Sequence, residues 1–107
     1  LNGVYTFQLR GSIQNGTGGQ YTPYVDSGRF VADGQGKITI IDAVNANGTV
    51  FTDRNFPATY VLDQYCSGTL QLPGSSMNIV VSKDGQRVNL IFASPSSIVA
   101  MGTGQLQ

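Results

Sequence analysis

The sequence predicts an all-β chain closed into an up-and-down antiparallel β-barrel of eight or nine strands. Three observations carry that expectation. Tight-turn dipeptides, Asn47-Gly48 and Asp84-Gly85 among them, separate short segments in which apolar and polar residues alternate. Strong helix formers are few, and no window repeats apolar residues at helical spacing over three turns. The segments follow one another at near-regular spacing, and pairing the last with the first removes the two bare edges that an open meander would leave. A two-sheet sandwich is the alternative architecture.

The first predicted strand is Val4–Ile13, where Tyr5, Phe7, Leu9 and Ile13 share one face and Thr6, Gln8, Arg10 and Ser12 the other. Asn15–Gln20 has nothing to bury and reads as a long mobile loop. Pro23 limits pairing before the second strand, Tyr24–Ala32, in which Tyr24 and Phe30 fall in one phase and Val25, Arg29 and Val31 in the other. Asp33-Gly34-Gln35-Gly36 reads as a turn; a lone Asp supplies too few oxygens for calcium. The third strand is Lys37–Ala46 and the fourth Thr49–Arg54. A two-residue loop at Asn47-Gly48 sets Ala46 opposite Thr49, Val44 opposite Phe51 and Asp42 opposite Asp53, whereas a three-residue loop would set Asp42 opposite Thr52.

The fifth strand is Phe56–Leu62, with Pro57 near its start, and the sixth is Gly68–Leu72. The seventh, Met77–Ser82, and the eighth, Arg87–Ala93, are joined at Asp84-Gly85. That turn places Val81 opposite Val88, Ile79 opposite Leu90 and Met77 opposite Phe92, so six large apolar side chains land on one face. Pro95 and its Ser neighbours form the last loop, and Ile98–Leu106 is the closing strand.

At 107 residues the chain is one domain, residues 1–107. Its net charge is zero, with six scattered basic residues, so it lacks an electrostatic footprint for nucleic acid or an anionic membrane. No apolar run approaches the roughly 18 residues of a membrane span. The absence of His removes Ser-His-Asp and Cys-His arrangements and the common zinc sites, and neither a metal nor a cofactor is expected. Cys66 is the only cysteine, which excludes an intrachain disulfide and permits an intermolecular one; with no His to activate it, it reads as a packed or partly exposed thiol. Low charge and richness in Gly, Ser, Thr and Asn suggest a bacterial secreted or cell-envelope protein. The start at Leu1 fits a mature or trimmed form. Asn15-Gly16-Thr17 and Asn47-Gly48-Thr49 match the glycosylation sequon, yet loop and turn chemistry account for both.

Gly28–Thr39 (GRFVADGQGKIT), Asn55–Leu72 (NFPATYVLDQYCSGTLQL) and Val99–Gln107 (VAMGTGQLQ) resemble a group of small bacterial secreted β-barrel proteins. That group carries a GxFxxDGxGxIt…GtY…CxGtltl pattern. The likeness covers most of the chain, with Ala58-Thr59-Tyr60 standing where the pattern has Gly-Thr-Tyr. More distantly, the layout is similar to allene oxide cyclase-like and calycin barrels, and Leu1–Tyr5 resembles the opening Gly-x-Trp of lipocalins with Tyr5 in place of Trp. These resemblances imply a barrel whose mouth accepts an apolar small molecule; without Trp, the aromatic walls of a biotin site are not carried over.

Candidate chemistry rests on acids in apolar phases. Asp42 sits among Ile38, Ile40 and Val44, with Asp53 and Asp26 as possible neighbours, and burying it requires a partner. Asp42 and Asp53 side by side would share a proton and serve as general acid and base. The plainer reading pairs Asp42 with Arg54, Arg29 or Arg10, or turns it to solvent. Tyr5, Tyr24 and Tyr60 offer hydroxyls to orient a ligand or to be satisfied within the core. Phe7, Phe30 and Ile40 are candidate lining residues from the N-terminal half, and Met77, Leu90, Phe92 and Met101 from the C-terminal half.

The preferred function is a binding module for a hydrophobic small molecule. A cofactor-independent isomerase or cyclase acting on an apolar substrate is one alternative, and an extracellular interaction domain with a filled interior is another. Both faces of Lys37–Ala46, Met77–Ser82 and Arg87–Ala93 are apolar, which predicts a homo-oligomer joined through their outer faces.

Overall fold

Alternation along each strand becomes the two faces of a closed wall. The structure is a computed structural model that describes residues 1–14 and 18–107. It contains eight strands: β1 (Asn2–Gln14), β2 (Tyr21–Asp33), β3 (Lys37–Ala46), β4 (Thr49–Leu62), β5 (Ser67–Leu72), β6 (Ser75–Val81), β7 (Arg87–Ser94) and β8 (Ile98–Leu106). Each pairs antiparallel with the next, and β8 returns to β1, with Tyr5 opposite Leu106 and Ile13 opposite Ile98. There is no helix among the described residues. The architecture is therefore an all-β, up-and-down barrel rather than a sandwich.

The turns set the registers. Ala46 faces Thr49 and Val44 faces Phe51 across Asn47-Gly48; Val81 faces Val88, Ile79 faces Leu90 and Met77 faces Phe92 beyond Asp84-Gly85. At the barrel end where β2 meets β3, β4 meets β5 and β6 meets β7, each turn is built on an Asp. Asp33 Oδ1 accepts from the Gln35 and Lys37 amides, Asp63 Oδ1 from Tyr65 and Ser67, and Asp84 Oδ1 from Gln86. Cys66, at φ +63°, occupies in its loop the place Gly36 holds in the Asp33 loop.

Two expectations need correction. The predicted fourth and fifth strands are one continuous β4, because a β-bulge at Asp53 moves the inward phase from odd to even positions without ending the strand. Pro57 is compatible with this since it is exposed and paired only with β3, opposite Thr39. β2 starts at Tyr21 and includes Pro23, whose carbonyl accepts the Asn47 amide. Of the Asn15–Gln20 stretch, residues 15–17, and with them the first sequon, lie outside the described residues.

The interior has two clusters. The larger joins Tyr5, Phe7 and Leu9 of β1 to Phe30, Ile38, Ile40, Leu70, Met77, Ile79, Val88 and Leu90, and the smaller joins Tyr24, Val44 and Ala100. Inward positions on β2 run Tyr24, Asp26, Gly28, Phe30; on β3 they run Ile40, Asp42, Val44. Two acids thus lie in the layer between the clusters. Gly28, opposite both Phe7 and Asp42, permits that layer: a Cβ there would lie 2.1 Å from the Ile41 carbonyl oxygen and 2.7 Å from Asp42 Cα. The β3 backbone comes too close at this position for any side chain.

Candidate functional site: a buried acid pair under an arginine

The site forms where β2, β3 and β4 run alongside. Because Thr52 and Asp53 together occupy the space opposite Ala43, Arg54 rather than Asp53 faces Asp42. Asp53 has φ +55° and is exposed, so it does not belong to the site. The expected Asp42–Asp53 pair is replaced by an ion pair. Arg54 Nε and Nη2 donate to Asp42 Oδ1 and Oδ2, each at 2.8 Å. The guanidinium also lies 5.4 Å over the Phe56 ring, which holds its plane.

The second acid is Asp26. Asp26 and Asp42 are 5% and 3% exposed, whereas the Arg54 side chain keeps 41% of its surface in solvent. Asp26 Oδ2 lies 4.0 Å from Arg54 Nη2, and Oδ1 is buried with no hydrogen-bond partner among the described residues. Burial first, then a hydrogen bond to Asp42 and Asp42's charge, push the Asp26 carboxyl far above the usual carboxylate range, to about 8. Two carboxylates cannot hydrogen-bond to each other, so Asp26 engages Asp42 only as the neutral acid. Arg54 opposes the shift without cancelling it, because Asp42 holds its fork.

Tyr24 closes one side of this layer. Its ring meets Phe92 edge-on at 6.3 Å, and burial with the nearby Asp26 charge raises its hydroxyl to about 12. Beneath the acids is a cavity of about 30 Å³. Five anticipated residues line it: Phe7, Phe30, Ile40, Met77 and Leu90. Leu9, Ile38, Phe56, Leu70 and Leu72 complete its apolar wall, with both Asp26 and Asp42 at its rim.

No family model, curated protein or solved structure matches this chain.

Other anticipated residues lie elsewhere. The Tyr5 hydroxyl donates to the Gly85 carbonyl and that of Tyr60 to the Leu1 carbonyl, so both are engaged by backbone at the Asp-turn end. Phe92 packs against Tyr24 in the smaller cluster. Met101 is 63% exposed, on the outer face opposite Arg10 and Ile91. Small residues take the inward phase of β8 instead: Gly102 and Gly104 face Leu9 and Phe7, making room for them. Asp26 is the residue sequence reasoning undervalued; its shared phase with Tyr24 and Phe30 was the available signal.

A broader groove, about 800 Å³, crosses the outer face of β2, β1, β8, β7 and β6. Exposed Gln8, Ser27, Asn89 and Thr103 line it together with Val80, so its wall is mixed where that of the inner cavity is almost wholly apolar. Among the described residues no group of three or more potential ligand side chains is placed to hold a metal ion, and no helix is long and apolar enough to cross a membrane.

Proposed function

We propose that this barrel is a binding module that takes a slender, largely apolar small molecule into the cavity beneath Arg54. The observation that carries the reading is a buried carboxyl oxygen, unpartnered among the described residues, in the wall of an apolar cavity. Apolar walls supply affinity while a few placed polar groups fix orientation. A cavity of about 30 Å³ holds little more than a water, so a chain enters only as Phe56 and Met77 move apart, and an unbranched chain asks less of that opening than a ring system. The test is native mass spectrometry of the purified protein, followed by methyl NMR of Met77 and Leu72 on adding n-pentane. A co-purified small molecule or saturable shifts at both residues support the module; neither would end it.

A second reading, a cofactor-independent isomerase or cyclase, draws on Asp26. A carboxyl that keeps its proton near neutral pH suits general acid chemistry. It requires Asp26→Asn to abolish turnover of a bound molecule while leaving its affinity intact. The third, an extracellular interaction domain, draws on the broad outer groove and requires a partner whose binding is lost on altering Gln8 and Asn89 but not Asp26.

Composition supports placing the protein outside the cytoplasm of a bacterium, and fractionation of the expressed chain tests this. Exposed Val80 and Ile91 on the outer faces of β6 and β7, with half-buried Ile41 on β3, support a homo-oligomer. Sedimentation at micromolar concentration would show a monomer if that is wrong.

A further inference from the structure

The layer beneath Arg54 has one cation for two acids. Asp42 is matched, since Arg54 holds both its oxygens at 2.8 Å. Asp26 is not matched: it is 95% buried by residue area, its nearer oxygen is 4.0 Å from the same guanidinium, and Oδ1 is unpartnered among the described residues. Opposite it stand Leu9 on β1 and Val44 on β3, and beside it lie Asp42 from β3 and Arg54 from β4, with Tyr24 on its own strand. Asp42 and Arg54 are the only charged groups in that set.

We infer that the cavity takes a small organic monocation, a primary ammonium on a slender apolar chain, whose N–H groups reach Asp26 while the chain lies along Phe30, Leu72 and Met77. The inference rests on the binding-module reading above and adds the ligand's class to it. An anion would meet two acids and a single cation already committed to one of them. A neutral alcohol would meet Asp26 as an acid and gain one ordinary hydrogen bond. A guanidinium's planar fork calls for a pair of acceptor oxygens, whereas only Oδ1 of Asp26 is unpartnered among the described residues. Only an ammonium combines a small head with three donors and the missing positive charge.

The charge balance is explicit. Without ligand, Asp26 is neutral, Asp42 negative and Arg54 positive. When the ammonium docks, the Asp26 O–H bond breaks, its proton leaves to solvent and the carboxylate accepts an N–H from the ligand. Two negative and two positive charges remain, and the layer is again neutral. Binding is therefore tied to release of one proton wherever free Asp26 holds it, which the raised Asp26 carboxyl extends to near-neutral pH.

Isothermal titration calorimetry at pH 6 tests this with n-butylammonium, 1-butanol, butyrate and n-pentane. Running the ammonium in two buffers of different ionisation heat counts protons on the unaltered chain. The expected result is that the ammonium binds at least about tenfold more tightly than butanol, releases close to one proton, and loses that advantage in D26N while butanol affinity persists. Circular dichroism confirms that the variant folds. Preference for butanol or butyrate, ammonium binding without proton release, or an unaffected D26N would each overturn the monocation and leave the module standing. Failure of all four probes to bind would overturn both.

Discussion

Arg54 clasps Asp42 through two parallel contacts of 2.8 Å, and it does so because Asp53, one residue earlier, is displaced out of the ladder. Bulges re-aim side chains. Here the bulge exchanges a second acid for a base opposite a buried carboxylate. Arg54→Ala is expected to destabilise the protein by about 2–3 kcal/mol at neutral pH, below the cost of breaking a fully buried pair because the guanidinium is 41% exposed. Arg54→Lys restores part of the loss, since an ammonium cannot fork. Urea denaturation of the three proteins measures both; equal stabilities would show that the clasp contributes nothing.

Asp26 gives stability an unusual pH slope. In an unfolded chain its carboxyl ionises near the ordinary Asp value of about 3.9, whereas in the folded protein it does so only near 8. Between those values the folded state holds a proton that the unfolded state has released, so this group's contribution falls as pH rises across the window. Asp26→Asn removes the slope. Variant and parent should be closest near pH 4, and the variant should gain on the order of 1 kcal/mol or more by pH 8. Denaturation midpoints at the two pH values decide it, and a constant difference between the proteins would refute it.

Asp53 has a left-handed backbone, φ +55°, at an exposed position outside any ion pair in the described residues. Glycine adopts that conformation without steric cost. Asp53→Gly should therefore raise stability by roughly 0.5–1 kcal/mol, and Asp53→Val should lower it by a similar amount or more. Thermal melts of the two variants test the bulge from opposite directions. A stabilising Val would mean that the bulge does not form.

Gly28 admits no side chain at all. Its Cβ would meet backbone on β3 at 2.1 Å, and backbone cannot swing aside. Gly28→Ala is expected to cost about 3 kcal/mol or more and to loosen Asp42 with it. Loss of the Asp26-dependent pH slope in a variant that still folds would locate the damage at the acid layer.

Much of the fold was written in short-range chemistry. Asn47-Gly48 and Asp84-Gly85 determine strand register, because a one-residue slip would turn Ile79 and Leu90 out to solvent. The phase change across Asp53 is also present in the sequence, but it reads as a strand break because a left-handed Asp carries no mark of its own. Met101 was misplaced for a related reason. Size favours it over Gly102 as an interior residue, yet β1 already fills the space with Phe7 and Leu9, so the β8 positions that face them, Gly102 and Gly104, must be small. Asp42 as a buried acid needing a partner was legible from its neighbours Ile40 and Val44. That Asp26 joins it depends on the register of β2 with β3 across the longer Asp33–Gly36 turn, which fixes pairing less directly than a two-residue Asn-Gly loop.

The amide of Gln107 donates to the carbonyl of Val4 at 2.8 Å, and Leu106 faces Tyr5. The two ends of this polypeptide therefore meet side by side at the same rim. A circular permutant restarted at Gly48, with the present ends bridged by a few flexible residues, would trade one exposed turn for another and keep all eight ladders. The order in which the strands are strung along the chain is thus separable from the ring they make.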